Sequence, residues 1–282
     1  VSLVSTNCLC AEDLKMEQVG QRKIDGMWLM VVGIAVLFFL ILPTLIVIPM
    51  SFSGASFLEF PPTSFSFRWY AAYFGSPEWM SATQTSLIAA LMTTAIATPL
   101  GSLCAYGLHC STPQIRASAQ ALVIMPIIVP VILIAVGVFS LYAKLGLNYT
   151  LTGIVIAHTA LALPFVIVTV MSGLQNYDFD QELAARSLGA SRAVALLTIT
   201  VPQVKFSIQT GAFLAFITSL DEVVISMLVS GGDNATITRR MFNSLRDQLD
   251  PTIAAISTCL IVVSVTALIG VQLIGHRKNI DK

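Results

Sequence analysis

The stretch Glu182-Leu183-Ala184-Ala185-Arg186-Ser187-Leu188-Gly189-Ala190-Ser191, which continues to Ile199-Thr200-Val201-Pro202, is a polar island between long apolar runs. Its first half contains good helix formers, and Gly189 can end that helix in a left-handed turn. Ser191 can then cap a second helix that runs towards Pro202. The leucines of the island have no bilayer core in which to bury. From the residues alone, the island is either a helix on a membrane surface or an element on which a partner docks.

The composition of the whole chain indicates a membrane protein. Hydrophobic residues make up 56% and charged residues 11% of its 282 residues, and the mean hydropathy is +0.83. Soluble domains carry about 25% charged residues, so we predict an all-α polytopic membrane protein. The net charge of +0 gives no sign of a nucleic-acid partner. The five cysteines show neither metal-ligand nor disulfide spacing, so no metal site is predicted.

Six apolar stretches are long enough to cross a bilayer, which takes about 20 residues of helix. They run over residues 28–50, 82–108, 118–141, 151–174, 206–229 and 253–276. Each of the first four contains proline. Such interruptions are tolerated where neighbouring helices satisfy the freed backbone groups, so a packed bundle that bends is expected.

Six spans place both termini on one side of the membrane, and the Lys and Arg residues indicate which side. With the N-terminus inside, the inner segments carry Lys15, Arg22, Lys23, Arg116, Arg186, Arg192, Lys205, Arg277, Lys278 and Lys282. The outer segments carry Arg68, Lys144, Arg239, Arg240 and Arg246. We therefore predict cytoplasmic tails at residues 1–27 and 277–282 and a cytoplasmic loop at residues 175–205. The three outer arginines near the end fit an amphipathic surface helix within residues 236–249.

The N-terminal residues are too polar for a secretory signal sequence, because no apolar core precedes the first predicted span. Both Val1 and Met16 remain candidates for the first residue of the protein.

The polar island resembles the cytoplasmic signature of ATP-binding cassette (ABC) importer permeases. That signature reads Glu-Ala-Ala, three residues, Gly, nine residues, Ile, one residue, Leu-Pro. The positions in register here are Ala184, Ala185, Gly189, Ile199 and Pro202, with Val201 in place of Leu. The layout of six spans with this loop between the fourth and fifth is that of the type I importer permeases. Within that family the chain is similar to the second permease of spermidine/putrescine importers, in the stretch Phe216-Ile217-Thr218-Ser219-Leu220-Asp221-Glu222-Val223-Val224-Ile225-Ser226.

The resemblance implies that the loop forms a coupling helix seated in a cleft of a separate ATPase. The residues implied in this contact are Glu182, Leu183, Ala184, Ala185, Arg186, Gly189, Ala190, Ile199 and Pro202. One position departs from the family, because the signature acid should stand at Leu183 and Glu182 lies one place earlier. One residue is about 100° of helix rotation. Either Glu182 takes over the acidic contact, or the contact is lost and shape and Arg186 remain.

Two adjacent acids, Asp221 and Glu222, stand about sixteen residues into the fifth predicted span. At 1.5 Å per residue they lie about 24 Å from its inner end, within a core of ~30 Å. Ionisable residues inside a span by default mark a pathway, and two acids suit a cationic cargo. The alternative is a helix that ends near Leu220, with acids that face outer water. Because adjacent side chains point about 100° apart, we expect Asp221 alone to face the pathway.

Further residues are candidates for the same pathway. Ser219 precedes the acids, and Phe213, Phe216 and Tyr142 could hold an amine through cation–π contact, although aromatic residues in spans more often pack. His158 in the fourth span is either packed and hydrogen-bonded or part of a proton relay.

No phosphate-binding loop or hydrolase motif occurs, so we predict no catalytic residue and no cofactor on this chain. The resemblance implies a heteromeric complex in the bacterial inner (plasma) membrane. It contains a second permease, two copies of an ATPase that carries ATP and Mg, and a periplasmic or lipid-anchored binding protein that docks on the outer loops. Spermidine or putrescine is the expected cargo. Opine-type, amino-acid-derived or other small solutes remain alternatives. A structural membrane subunit and a proton-coupled carrier that uses His158 and Asp221 are the other classes.

Overall fold

The computed structural model describes residues 28–247 and 250–276, and in these ranges the chain is helical, with only isolated β-bridges in its connections. The two predicted tails, residues 1–27 and 277–282, lie outside the described residues. The prediction of an all-α protein is confirmed for the part of the chain that the structure covers.

Four long helices match four of the predicted spans. They are α1 (Trp28–Met50), α3 (Pro77–His109), α6 (Leu151–Gln175) and α13 (Thr252–His276). Each contains a stretch long and apolar enough to cross a membrane. Side-chain caps explain two of the starts: Ser76 accepts a hydrogen bond from the Trp79 N–H, and Thr150 accepts one from the Gly153 N–H.

The third predicted span is not one straight helix. Residues 118–141 fall in α4 (Pro113–Ile128) and α5 (Val131–Leu145), whose axes are bent by 93°. Val129 between them is extended, with ψ of 132°. Pro130 explains this geometry, because a proline disfavours the helical conformation of the preceding residue. The bend at Pro130 agrees with the expected proline interruptions and bending bundle, and the assignment of the two helices to one span stays a prediction.

The fifth predicted span is also interrupted, this time at its acids. It consists of α10 (Lys205–Asp221) and α11 (Val224–Val229), separated by Glu222 and Val223. The prediction of one helix over residues 206–229 was therefore wrong, and the alternative of a helix end near Leu220 describes the end of α10. Four helices, or five with the bent pair, qualify as spans by length and composition among the described residues. The number six stays a prediction.

Two short helices cap one end of the bundle. They are α2 (Arg68–Gly75) and α12 (Ile237–Asp247). An apolar cluster of Tyr73, Trp79, Ile237 and Ile256 joins them to the starts of α3 and α13. Because α12 buries Ile237 and exposes Arg246, it forms the predicted amphipathic helix. We call this region the α12 end of the bundle.

The polar island forms the opposite end. It comprises α7 (Asp180–Ser187), α8 (Arg192–Ala195), a π-helical turn (Leu196–Thr200) and α9 (Val201–Gln203). Gly189 follows α7 with φ of +97°, as predicted. The Ala190 N–H donates to the Ala185 carbonyl and the Gly189 N–H to the Arg186 carbonyl, which is the Schellman arrangement. We call this region the α7 end.

The core lies where α3, α6 and α10 pack together. Small residues on all three helices are fully buried, namely Ala97, Ala162 and Ala215. Gly101 of α3 permits the closest approach, because a Cβ atom at this position would lie 2.7 Å from Val166 Cγ1 of α6. Small residues at helix contacts are typical of membrane bundles, in which association depends on close packing.

We expect Gly101→Val to destabilise the bundle. The added side chain must displace Val166, and overpacking of this kind costs about 1–3 kcal/mol. Gly107→Val is the matched control, since it lies on the same helix and its Cβ would meet nothing within 4 Å. Thermal unfolding in detergent should show a lower midpoint for the Gly101 variant alone, and equal midpoints would contradict the packing.

Candidate functional site

The break in the fifth predicted span is built from side chains that satisfy its backbone. Glu222 is extended, with ψ of 112°, and its Oε1 accepts a hydrogen bond of 2.8 Å from the Ile225 N–H at the start of α11. Its carbonyl oxygen accepts a hydrogen bond of 2.9 Å from Thr238 Oγ1 of α12. Non-helical backbone at membrane depth occurs only where protein buries it or where it lines a cavity.

Asp221 has a different environment from its neighbour. Its side chain is exposed and lines a cavity of about 630 Å³ between α10, α12 and α13. Among the described residues that line this cavity, Asp221 is the one with an ionisable side chain, and the walls are mostly apolar side chains such as Met241, Phe242 and Leu260. The two acids therefore differ in role, because Glu222 caps backbone while Asp221 presents a carboxylate to open space.

The other predicted pathway residues do not gather around Asp221. Phe213 and Phe216 are half-buried on α10 and do not line the cavity. Ser219 is buried, with 3% of its surface exposed. Tyr142 packs in an apolar cluster with Ile154 and Val229. Of these residues, the structure brings only Asp221 to the cavity wall.

Ser219 instead belongs to a buried polar network centred on His158 of α6. His158 Nδ1 lies 2.8 Å from Ser219 Oγ, and Nε2 lies 3.2 Å from Ser226 Oγ. Ser219 is on α10 and Ser226 is on α11, so the imidazole joins the two halves of the broken helix. Ser219 Oγ also lies 3.4 Å from Thr93 Oγ1 of α3. The histidine is thus packed and hydrogen-bonded, which is the first of the two alternatives that the sequence left open.

The α7 end contains a second cluster, which is centred on Glu182. Its side chain is only 3% exposed. Tyr106 Oη of α3 donates to Oε1 over 2.6 Å, and Thr200 Oγ1 of the π-helical turn donates to Oε2 over 2.7 Å. Arg192 Nε donates to Tyr106 Oη over 3.2 Å, which raises the pKa of Arg192 further and keeps its guanidinium charged.

The remaining residues of the predicted coupling surface face outwards. Leu183 is 54% exposed and Leu188 is 90% exposed. Ala184, Arg186, Gly189 and Pro202 are exposed as well, and Ala185, Ala190 and Ile199 are half-buried. Glu182 is therefore the residue of this set whose side chain points into the bundle, and its carboxylate is absent from the surface on which a partner could dock.

Sequence reasoning missed the partners of Glu182. Tyr106 and Thr200 lie 76 and 18 residues away along the chain, so no local pattern connects them to the acid. The sequence did contain one sign of the inward direction of Glu182, namely its offset of one residue from the signature acid. A shift by one residue rotates a side chain by about 100° around the helix. That rotation places Leu183 outside and Glu182 inside.

The long apolar helices and their common core define a polytopic helical membrane protein. Residues 97–280 match the family described as the inner membrane component of binding-protein-dependent transport systems. This match covers more than half of the chain, so the chain belongs to that family. It is a family of transport permease subunits.

Several characterised proteins are similar to the chain over most of its length. The spermidine/putrescine transport system permease protein PotC of Escherichia coli (strain K12) is 29% identical over 245 residues, which is 87% of this chain and 92% of that protein. The putrescine transport system permease protein PotI of the same strain is 28% identical over 242 residues, 83% of this chain and 85% of that protein. Both similarities extend over the bundle as well as the polar island.

Solved structures show the same fold at lower identity. A chain of a bacterial alginate ABC transporter, crystallised with an alginate pentasaccharide-bound periplasmic protein, superposes with a TM-score of 0.68. It covers 94% of this chain and 96% of its own length at 14% identity.

We expect His158→Leu to destabilise the protein, because it leaves Ser219 and Ser226 without their shared partner. Interhelical hydrogen bonds of this kind contribute about 0.6–2 kcal/mol each in membrane proteins. Thr159→Val is the matched control, since Thr159 is the next residue on α6 and its buried hydroxyl has no partner among the described residues. The thermal midpoint in detergent should fall for His158→Leu and stay unchanged for Thr159→Val. Equal midpoints would mean that the network does not hold α10 and α11 together.

Proposed function

We propose that this chain is the permease subunit of an ATP-driven importer and forms part of the pathway for a small organic cation, with a polyamine such as spermidine or putrescine as the cargo. The observation that carries the cargo class is the Asp221 carboxylate, which faces the cavity at a helix break. The names of the two similar permeases agree with this chemistry. One is named for spermidine and putrescine and the other for putrescine.

A carboxylate in a mostly apolar cavity suits an ammonium ion. Removing either charge from water costs several kcal/mol, so each ion needs an opposite charge as its partner. The described cavity lining contains no Lys or Arg that would neutralise Asp221. A second ammonium group of the same cargo would need a second acidic side chain. We propose that the second permease provides it.

Two features of the chain support a second permease as a partner. No residue in the most apolar stretch of α1 is buried within the described structure, so lipid or another membrane protein covers it. The cavity wall includes Thr44 of α1 together with α10, α12 and α13. A pathway at the interface of two similar permeases would place such a cavity between subunits.

The α7 end supplies the surface for the ATPase. Leu183 and Leu188 are exposed apolar side chains on a short helix, and Arg186 next to them is exposed and positively charged. An ATPase cleft with apolar walls and one acid would fit this surface. ATP and Mg would be held by that ATPase, and both termini of the permease would then lie with the α7 end in the cytoplasm.

The mechanism follows from these positions. A periplasmic or lipid-anchored binding protein delivers cargo to residues 51–81 and 231–250 at the α12 end. ATP binding closes the ATPase dimer, and α7 moves with it. The bundle then shifts from an inward-facing to an outward-facing population, driven by the different affinity of ATP for the two states.

Transport assays on the complete complex in liposomes test this function. The complex contains the chain, its second permease, the ATPase and the binding protein. We expect uptake of labelled putrescine or spermidine. It should require ATP on the side of the membrane where the ATPase is bound, and a protonophore should not reduce it. Uptake driven by a proton gradient without ATP would instead identify a secondary carrier. ATP-dependent uptake of an opine or amino acid, without polyamine uptake, would keep the importer and overturn the cargo.

Asp221→Asn should lower uptake of the dication by at least about tenfold, which corresponds to about 1.4 kcal/mol. The variant keeps the shape and removes the charge, so assembly of the complex should be unchanged. Asp221→Glu keeps the charge and should retain more uptake. Glu222→Gln should have the smaller effect, because an amide oxygen can still accept the Ile225 N–H. A larger loss of uptake for Glu222→Gln than for Asp221→Asn would assign the pathway to Glu222.

Gly189→Val should abolish transport while leaving membrane insertion intact. A residue with a Cβ pays about 1–2 kcal/mol in the left-handed region, and Gly189 has φ of +97°. No atom lies within 4 Å of a Cβ placed there, so the effect acts through the backbone of the docking surface. Gly189→Asn is the control, since Asn tolerates this conformation and should retain uptake. Normal uptake by the Val variant would contradict the docking role.

A further inference from the structure

Glu182 lies inside the docking end of the bundle, where three structural elements meet. Its two carboxylate oxygens bind one donor each, Tyr106 on α3 and Thr200 on the π-helical turn. We propose that Glu182 is a positioning residue, which ties α7 to the end of α3 and to the turn that leads into α10. This role rests on the proposed function, since the movement of α7 is what the tie would transmit.

The hydrogen-bond directions around Glu182 form a consistent set. A carboxylate only accepts, so both hydroxyl groups must donate to it. The single proton of Thr200 goes to Glu182 over 2.7 Å. Thr200 Oγ1 also lies 3.2 Å from the Tyr177 hydroxyl oxygen, which makes this a second and longer contact of the same hydroxyl group. In the same way Tyr106 donates to Glu182 and accepts from Arg192. The hydroxyl groups of Tyr106 and Thr200 thus each donate their proton to Glu182.

The backbone is arranged to bring Thr200 to this position. Leu196–Thr200 form a π-helical turn between α8 and α9. Such turns contain one residue more than an α-helical turn and occur frequently at functional sites. Because one extra residue rotates the following side chains by about 100°, the turn sets the direction in which Thr200 points. Thr200 is 1% exposed as a result.

The contacts of Glu182 argue against a direct bond to the ATPase. To reach the surface, its carboxylate would have to leave two buried hydroxyl groups without an acceptor, and buried donors without partners are costly. Leu183, at the register of the signature acid, already faces outwards with 54% of its surface exposed. The acid therefore acts from behind the docking surface.

α3 connects the tie at Glu182 to the other end of the bundle. α3 runs from Trp79 at the α12 end to Tyr106 at the α7 end, and it packs along α6 and α10. A displacement of α7 that pulls on Glu182 therefore moves the end of α3. Through Thr200 it also moves the π-helical turn, which leads by α9 into α10. α10 ends at Asp221, so the tie lies between the docking surface and the acid of the cavity.

The test uses the complete complex in liposomes and measures three quantities: ATPase retained with the permease, ATP hydrolysed, and polyamine taken up. Tyr106→Phe and Glu182→Gln each weaken the tie. We expect retained ATPase to be unchanged and uptake per ATP hydrolysed to fall about tenfold in each. The double variant should lose no more than Glu182→Gln alone, because the contact that Tyr106→Phe removes is one that Glu182→Gln already weakens. Thr200→Val should behave like Tyr106→Phe.

Asp180→Asn is the matched control, since it removes one negative charge from an exposed position on the same helix. It should keep the uptake per ATP of the unaltered chain. The proposal is overturned if Glu182→Gln lowers ATPase retention while Tyr106→Phe does not, because that pattern identifies a direct contact with the ATPase. It is overturned equally if both variants keep normal coupling.

A failure of the proposed function would look different. In that case the unaltered complex itself would show no ATP-dependent uptake. The tie would then be judged from thermal unfolding of the complex, where the midpoint shifts of Tyr106→Phe and Glu182→Gln should be non-additive. Additive shifts would show that the two side chains do not interact and would overturn the proposal.

Discussion

A break in a helix leaves backbone N–H and C=O groups without their partners in the helix, and this constraint decides how the fifth predicted span can be interrupted. Glu222 supplies an acceptor to the start of α11, and Thr238 supplies a donor to the carbonyl of Glu222. His158 then bridges α10 and α11 through Ser219 and Ser226. So many dedicated side chains make the break a specified feature of the fold, and the break is what leaves Asp221 at the end of a helix and on a cavity wall.

The acids of this chain serve different purposes, and their hydrogen-bond donors decide which. Glu182 has two hydroxyl donors and is buried, and Glu222 has a backbone donor and is half-buried. Both are acceptors that hold parts of the chain together. Asp221 is exposed in a mostly apolar cavity and is held by no comparable partner in the described structure. A carboxylate in that situation gains most from a mobile cation, which is why the cargo argument rests on this residue and not on the acidic pair.

Hydropathy predicted the straight helices well and the interrupted ones poorly. The stretch 151–174 became α6, which ends one residue later, and Gly189 has the left-handed φ that its place after α7 required. The sums of hydropathy cannot detect a change of backbone direction, however, and proline alone does not mark one. Pro99 and Pro164 lie inside continuous helices, whereas Pro130 accompanies a bend of 93°. The difference depends on which neighbouring groups satisfy the freed backbone, and these come from distant parts of the sequence.

The same reason separates the part of the site that sequence predicts from the part that it does not. A charge in an apolar run is visible locally, so Asp221 could be found from its surroundings in the sequence. The direction of Glu182 is set by Tyr106 and Thr200, which only the fold brings to it. α10 connects the two regions physically: it begins after the π-helical turn and runs for 17 residues to Asp221, about 25 Å at 1.5 Å per residue. In the proposed coupling, a shift at the first residues of α10 is carried along the helix to the acid, where the break separates it from α11.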